Sequence, residues 1–346
     1  MTTKLDDVKA MLALLADETQ PITFSRLYVF SDLAGQTLTE FRQDWVAFSS
    51  DRRERIIRAL VELAEASFAV NFDAIFRYAL DDPSPLVRAT AIEGLWEDER
   101  TDLIGPFLTK LRADPSALVR AAAATSLGRY VLAGEMDEVE GPVQNRIVTE
   151  LQTIIHQPDE DIEVRRRAVE SVAYACAPEI ADLLEMAYYD DDERMRLSAI
   201  VGMGRSCDRR WKSIVLQELD SDLPAMRFQA AWASGELALH EAVPFLARLI
   251  DDADHEVCNA TIWALGQIGG AQAKEILTTF YEDADEDTQT AIEDALAELA
   301  LSAGELEFPL YEFDEMEEGL DDEAIEEDLI LLWSDEDDSD DDDWGW

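Results

Sequence analysis

Basic residues are scarce in this chain and unevenly placed. It holds 28 Lys and Arg against 77 Asp and Glu, a net charge of −49, and no base follows Lys274. Residues 305–346 alone carry 21 acids. A field of that sign repels nucleic-acid phosphate and anionic membrane, so neither is an expected direct partner, and it attracts basic proteins. Cysteine is nearly absent. Cys176, Cys207 and Cys258 have no CxxC spacing, which argues against a disulfide framework and suits reduced thiols in a cytoplasmic protein. No apolar run is long enough to span a membrane, and none follows a basic N-terminal segment. The phosphate-cradling glycine motifs and the nucleophile elbow are missing as well, so no cofactor is expected.

What the chain does have is a repeat. An acid precedes a short apolar element ending in Arg at Arg88, Arg120, Arg165, Arg196 and Arg227, and Cys258 and Gln289 take the same slot. The successive intervals are 32, 45, 31, 31, 31 and 31 residues. A fixed period of this size is the signature of stacked helical units. In one copy Asp82 reads as the helix N-cap and Pro83 as the first helical residue. Val87, Ala91 and Leu95 follow as a buried stripe at helical spacing. The pattern returns from Asp114, Asp159, Asp190 and Asp252, and from Ser221 in place of Asp. Alanines crowd the middle of these helices. Gly128, Gly204, Gly235 and Gly266 lie eight residues beyond the Arg slot, where helices can approach closely or end. A second helix follows in each unit, as in Leu103–Leu111, Ile180–Ala187 and Ala242–Ile250.

Two helices per unit, the acid-to-Arg opening and the Ala/Gly-rich first helix resemble the HEAT repeat, in the short bacterial form of bilin-lyase-type HEAT repeat proteins. The resemblance covers roughly residues 51–300. It implies an all-α fold: a right-handed, armadillo-like α-solenoid (superhelix) of stacked two-helix units, with a concave face lined by the second helices. It implies that the repeated Arg joins Asp and backbone carbonyls between units, a structural ladder of Asp82, Arg88, Asp114, Arg120, Asp159, Arg165, Asp190, Arg196 and Arg227. Residues 1–50 are expected to form capping helices and a degenerate repeat. Residues 51–304 form the solenoid, with an insertion at about 134–147 that places a surface loop between two helices of its unit. The final first-type helix, near 290–301, is expected to lack its second helix.

Three places invite a functional reading. Arg209, Arg210, Trp211 and Lys212 are the one basic-aromatic cluster, expected at the rim of the concave face either as a solvated helix start with Trp211 anchored in the core or as an anion or tail-docking site. The second is the surplus of acids before each first helix, two or three where a cap needs one, which points to a basic partner. The third is residues 305–346, an acidic and partly disordered tail with a candidate docking segment that includes Trp333, Trp344 and Trp346. His240 with Glu241 and His255 with Glu256 resemble the ligand pairs of deoxyhypusine hydroxylase, a di-iron HEAT-repeat enzyme. They sit out of phase with each other, and the equivalent slots hold Ala89, Ala121, Arg166, Leu197, Phe228 and Asn259, so no metal site and no catalytic residue is expected. The leading function is a non-enzymatic protein-binding scaffold or adaptor for a basic protein, with docking of the tail onto its own chain as a regulatory variant. The alternative, resting on the resemblance alone, is a bilin-lyase-like cofactor-attachment or accessory enzyme.

Overall fold

The structure, a computed structural model, describes residues 3–282 and 284–302. Every regular element among them is helical. Four helices open the chain: α1 (Lys4–Leu15), α2 (Phe24–Leu27), α3 (Gly35–Trp45) and α4 (Ser50–Ala66). Thr3 caps α1 in a reciprocal box with Asp6. α1 packs on α3 and α2 on α4. Phe30, Phe41 and Trp45 are almost wholly buried there; Phe41 stacks on Trp45 and meets Phe30 edge to face. This aromatic plug closes the N-terminal end of the core, and the Trp45 Nε1–H donates to Asp82 at 2.8 Å to tie it to the array.

The array follows as seven helical hairpins: α5 (Asp73–Ala79) with α6 (Pro85–Glu93), α7 (Ile104–Ala113) with α8 (Ala117–Glu135), α9 (Gly141–Ile155) with α10 (Ile162–Val172), and α11 (Pro178–Tyr188) with α12 (Glu193–Arg205). The last three are α13 (Lys212–Glu218) with α14 (Pro224–Glu236), α15 (Val243–Leu249) with α16 (His255–Ile268), and α17 (Ala271–Tyr281) with α18 (Glu286–Ser302). The frame differs from the expected one. Each Arg-bearing helix pairs mainly with the helix before it, across the short acidic turn, rather than with the helix after it. α18 therefore has its partner in α17, and the array does not end on an unpaired helix.

The two layers are unequally spaced. The even-numbered helices pack directly on one another, whereas the odd-numbered ones from α5 to α17 barely touch. Small residues make the close layer possible. A Cβ on Gly266 would stand 3.1 Å from the Ala295 Cα, and one on Gly235 would stand 3.1 Å from the Ala264 Cα. A stack bends toward its more tightly spaced layer, so the even-numbered, Arg-bearing helices line the concave side. This reverses the expectation that the second helices would do so. The expectation took helix order within the repeat as a guide to layer; spacing decides it, and the glycines lie on the Arg-bearing helices.

Two local expectations are also corrected. The extra residues between Arg120 and Arg165 do not form a long loop. α8 runs 19 residues and α9 runs 15, leaving only residues 136–140 between them. Tyr130, Val131 and Val139 are buried, so burial of apolar surface favours extending the hairpin over looping out. The caps lie two residues later than expected. Ser84 caps α6, where Pro85 rather than Pro83 is the first helical residue, and Asp161, Asp192 and Asp254 cap α10, α12 and α16.

Candidate functional site

The acidic turns before the Arg-bearing helices hold part of the unusual charge. Asp82, Asp114, Asp190 and Asp252 do not cap their helices directly. Each accepts the N–H of the residue two positions on, at 2.9–3.0 Å: Ser84, Ser116, Asp192 and Asp254 in turn. Asp192 and Asp254 then accept the N–H groups of Arg194 and Glu256 inside the helix. In the Asp190–Asp192 and Asp252–Asp254 turns two acids are thus structural, one to shape the turn and one to cap, whereas in the Asp82 and Asp114 turns a serine holds the capping position. The surplus that pointed to a partner is smaller than the composition implies.

The first acid of the turn has a second task. Arg88 grips Asp114 of the next hairpin through Nε and Nη2 at 2.9 and 2.7 Å, while its Nη1 donates to the Asp82 carbonyl at 2.8 Å. Arg227 does the same with Asp252, both contacts at 2.8 Å, and with the Ser221 carbonyl at 2.9 Å. Arg120 binds Glu160 at 3.0 and 2.6 Å, not Asp159, which is exposed. Arg53, missed from sequence, forms an earlier rung with Asp82 and donates to the Phe48 carbonyl at 2.7 Å. It lies 35 residues before Arg88, and no acid stands six positions ahead of it, which hid it from the pattern.

Arg165 and Asp190 do not join, and Arg165 donates instead to the Ile155 carbonyl at 3.1 Å. Cys258 and Gln289, which stand in the Arg slot, keep only its carbonyl-directed half. The Cys258 thiol donates to the Ile250 carbonyl at 2.9 Å and Gln289 donates to the Tyr281 carbonyl at 3.2 Å. Burial, then the nearby Asp251, Asp285 and Asp252 carboxylates, push the Cys258 thiol up to about 11, so it is no nucleophile near neutrality.

Where the Arg ladder lapses between α10 and α12, a buried polar cluster replaces it. Glu170, 4% exposed, accepts the Ser198 hydroxyl at 2.6 Å, Arg166 at 3.3 Å and Arg167 at 3.1 Å. Arg166 and Arg167 also bind Glu163, and Arg205 lies over the Tyr174 ring. Glu163 and Glu170 are shared among the Arg166, Arg167 and Arg205 cations.

The basic-aromatic cluster opens α13, in the widely spaced layer. Trp211 is buried. Arg209 donates to the Ala238 carbonyl, Arg210 pairs with Asp208 and Lys212 with Glu241. Trp333, Trp344, Trp346 and the whole 305–346 tail lie outside the described residues. Among the described residues no cluster of three or more His, Cys, Asp or Glu is placed to hold a metal ion, and no helix is long and apolar enough to cross a membrane.

One concave row is different in kind. Five residues beyond the Arg slot, successive close-layer helices present Arg58, Glu93, Thr125, Glu170, Val201, Trp232, Trp263 and Asp294. Trp232 and Trp263 stack face to face with ring centroids 3.8 Å apart and planes 6° apart, and Phe228 stacks on Trp232. Trp232 is nevertheless 40% exposed. A large aromatic left open on a curved inner face is the kind of patch that marks a contact surface. A model of HEAT repeats matches residues 73–140 and 213–297. The chain contains HEAT repeats. Both matched HEAT stretches flank the segment from α9 to α12, where the Arg ladder is interrupted. No curated protein matches the chain. Three solved structures illustrate the fold. The Escherichia coli protein YibA is 16% identical, with 73% of this chain and 98% of that one covered at a TM-score of 0.41. Human deoxyhypusine hydroxylase is 16% identical, covering 86% and 97% at 0.34. Importin beta is 16% identical, covering 87% and 45% at 0.42. At these values the likeness concerns helical architecture alone.

Proposed function

We propose that this HEAT-repeat chain is a non-enzymatic scaffold that binds a basic protein on its concave, close-layer face. The observation that carries the reading is the Phe228–Trp232–Trp263 stack, with Trp232 exposed and Phe228 and Trp263 half-buried, together with the exposed acids of the same helices. Gly266 approaches Ala295 as closely as Gly235 approaches Ala264. Asp294, one period beyond Trp263, therefore stands beside Trp263 much as Trp263 stands beside Trp232. Glu293 and Glu298 on α18 and Glu236 on α14 are exposed on close-layer helices. A Lys or Arg of a partner would lie over the outer ring face of Trp263 and meet Asp294, combining cation–π attraction with charge pairing. The partner's apolar side chains would cover Trp232.

Net charge supplies the long-range part. At −49 the protein draws basic partners toward it and speeds encounter in a salt-dependent way. We read residues 1–50 as a cap, 51–304 as the array, and 305–346 as an acidic tail that adds to this steering. A cytoplasmic setting follows from the reduced-thiol reading of the cysteines.

Affinity capture with the full chain at low and high salt tests the proposal. A protein of high pI should be retained at low salt and released at high salt. Capture of acidic proteins only, or retention indifferent to salt, would refute a basic partner.

A further inference from the structure

The Arg ladder has an empty rung. In Arg88, Arg120 and Arg227 the guanidinium divides its work: Nη1 holds a backbone carbonyl six residues back, and the Nε/Nη2 edge grips a carboxylate of the next hairpin. Arg196 keeps the first half, with Nη1 at 3.1 Å from both the Asp190 and Asp191 carbonyls. Its other edge has no hydrogen-bonded carboxylate among the described residues. Glu193, on its own helix, comes only within 3.9 Å of Nη2. The sequence shows why. The position that Asp252 fills for Arg227 is, one period earlier, Ser221, whose side chain is too short and carries no charge. A cavity of about 400 Å³ lies there, bounded by Arg196, Ser221, Tyr189, Leu223 and Met226 among others.

We propose that this empty rung is a binding site for a small monocarboxylate with an apolar or aromatic body. The guanidinium is already anchored through Nη1, and it lines the same cavity as Ser221 of the next hairpin, so its remaining donors are available to a carboxylate entering there. The sister rungs show that geometry filled within the same chain. Tyr189, Leu223 and Met226 supply an apolar wall for the rest of the ligand, and the cavity is near the lower end of ligand-site volumes. Charge narrows the class further. Asp190 and Glu218 line the same cavity, and Glu218 is held there by the Tyr188 hydroxyl at 2.5 Å. A second negative charge on the ligand would meet these carboxylates, which disfavours dicarboxylates and phosphates. The site is separate from the aromatic stack and goes beyond the scaffold role.

Calorimetric titration of the full chain with benzoate, benzamide and phthalate tests the proposal, with thermal unfolding in parallel. Benzoate should bind saturably and raise the unfolding temperature; benzamide and phthalate should do neither. Ser221→Asp supplies the missing carboxylate from within. It should raise the unfolding temperature without ligand and weaken benzoate binding about ten- to a hundredfold, the span expected for losing hydrogen bonds to a charged group. Arg196→Lys keeps the charge but not the fork, and should weaken benzoate while leaving the circular dichroism unchanged. Absence of saturable benzoate binding, or equal affinity in the parent and Ser221→Asp proteins, overturns the site. Phthalate binding as tight as benzoate overturns the restriction to one charge.

Discussion

Replacing Arg88 by Met removes one rung of the ladder while keeping most of the side-chain volume. In the native protein the Arg88 and Asp114 side chains are 9% and 4% exposed and joined by two short charged contacts. Breaking a fully buried pair by deleting one partner costs about 3–5 kcal/mol, because a charge is left buried without its counter-ion. Asp114 is not left bare, since the Ser116 N–H at 3.0 Å and Lys110 at 3.9 Å remain. We therefore expect a loss of about 2–3 kcal/mol, nearer the value of charged hydrogen bonds. Urea unfolding measures it, with hydrogen exchange on α6 and α8 to locate the change, because a repeat array need not unfold in one step. The double-mutant cycle with Asp114→Asn should return a coupling energy above about 1 kcal/mol. A change within about 0.5 kcal/mol for Arg88→Met, or a coupling energy near zero, would show that the rung is a surface pair of the inconsequential kind.

Three further outcomes follow. The Arg88 and Arg227 guanidinium groups hold the Asp114 and Asp252 carboxyls below their ordinary values, in Asp114 against the opposing effect of burial. A depressed folded pKa gives stability that is present above the unfolded value, about 3.9, and is lost as pH falls through the folded value. Acid titration by circular dichroism should show stability declining below about pH 4, and less so in Arg88→Met. Gly266→Ala should lower stability by about 1 kcal/mol in thermal unfolding, although alanine is ordinarily the better helix residue, because its Cβ would crowd the Ala295 backbone at 3.1–3.2 Å. Iodoacetamide followed by mass spectrometry should label the exposed Cys176 and Cys207 in the native protein and reach Cys258 only on unfolding.

The period, the helical class and the acid-to-Arg pattern were legible because each repeat writes the same few letters at the same offsets. The pairing frame was not. An acidic turn flanked by helices on both sides looks the same whichever neighbour it joins, and the direct packing of the even-numbered helices on one another decides the layers. Caps were misplaced by two residues because Asp82 and Ser84 are both good capping residues. Only the structure shows Asp82 engaged with Arg53, Trp45 and the Ser84 N–H. The 14 additional residues read as a loop because Gly134, Gly141 and Pro142 punctuate them, yet Gly134 sits in α8 and Gly141 and Pro142 begin α9. The aromatic stack was hidden for a different reason. Trp232 and Trp263 are one period apart, but a Trp at helical spacing reads as core until the layer that faces the concavity is known. Acid surplus drew attention to the turns, where most of the charge proves to be structural.

The central claim is that the concave aromatic stack binds the partner. Its most direct test is the affinity of the captured partner for the full chain and for Trp232→Ala/Trp263→Ala, with circular dichroism to establish that the fold is intact. Hot-spot aromatics are worth about 2 kcal/mol or more each, so the account predicts a loss of at least about a hundredfold. An affinity within about twofold of the parent would contradict it.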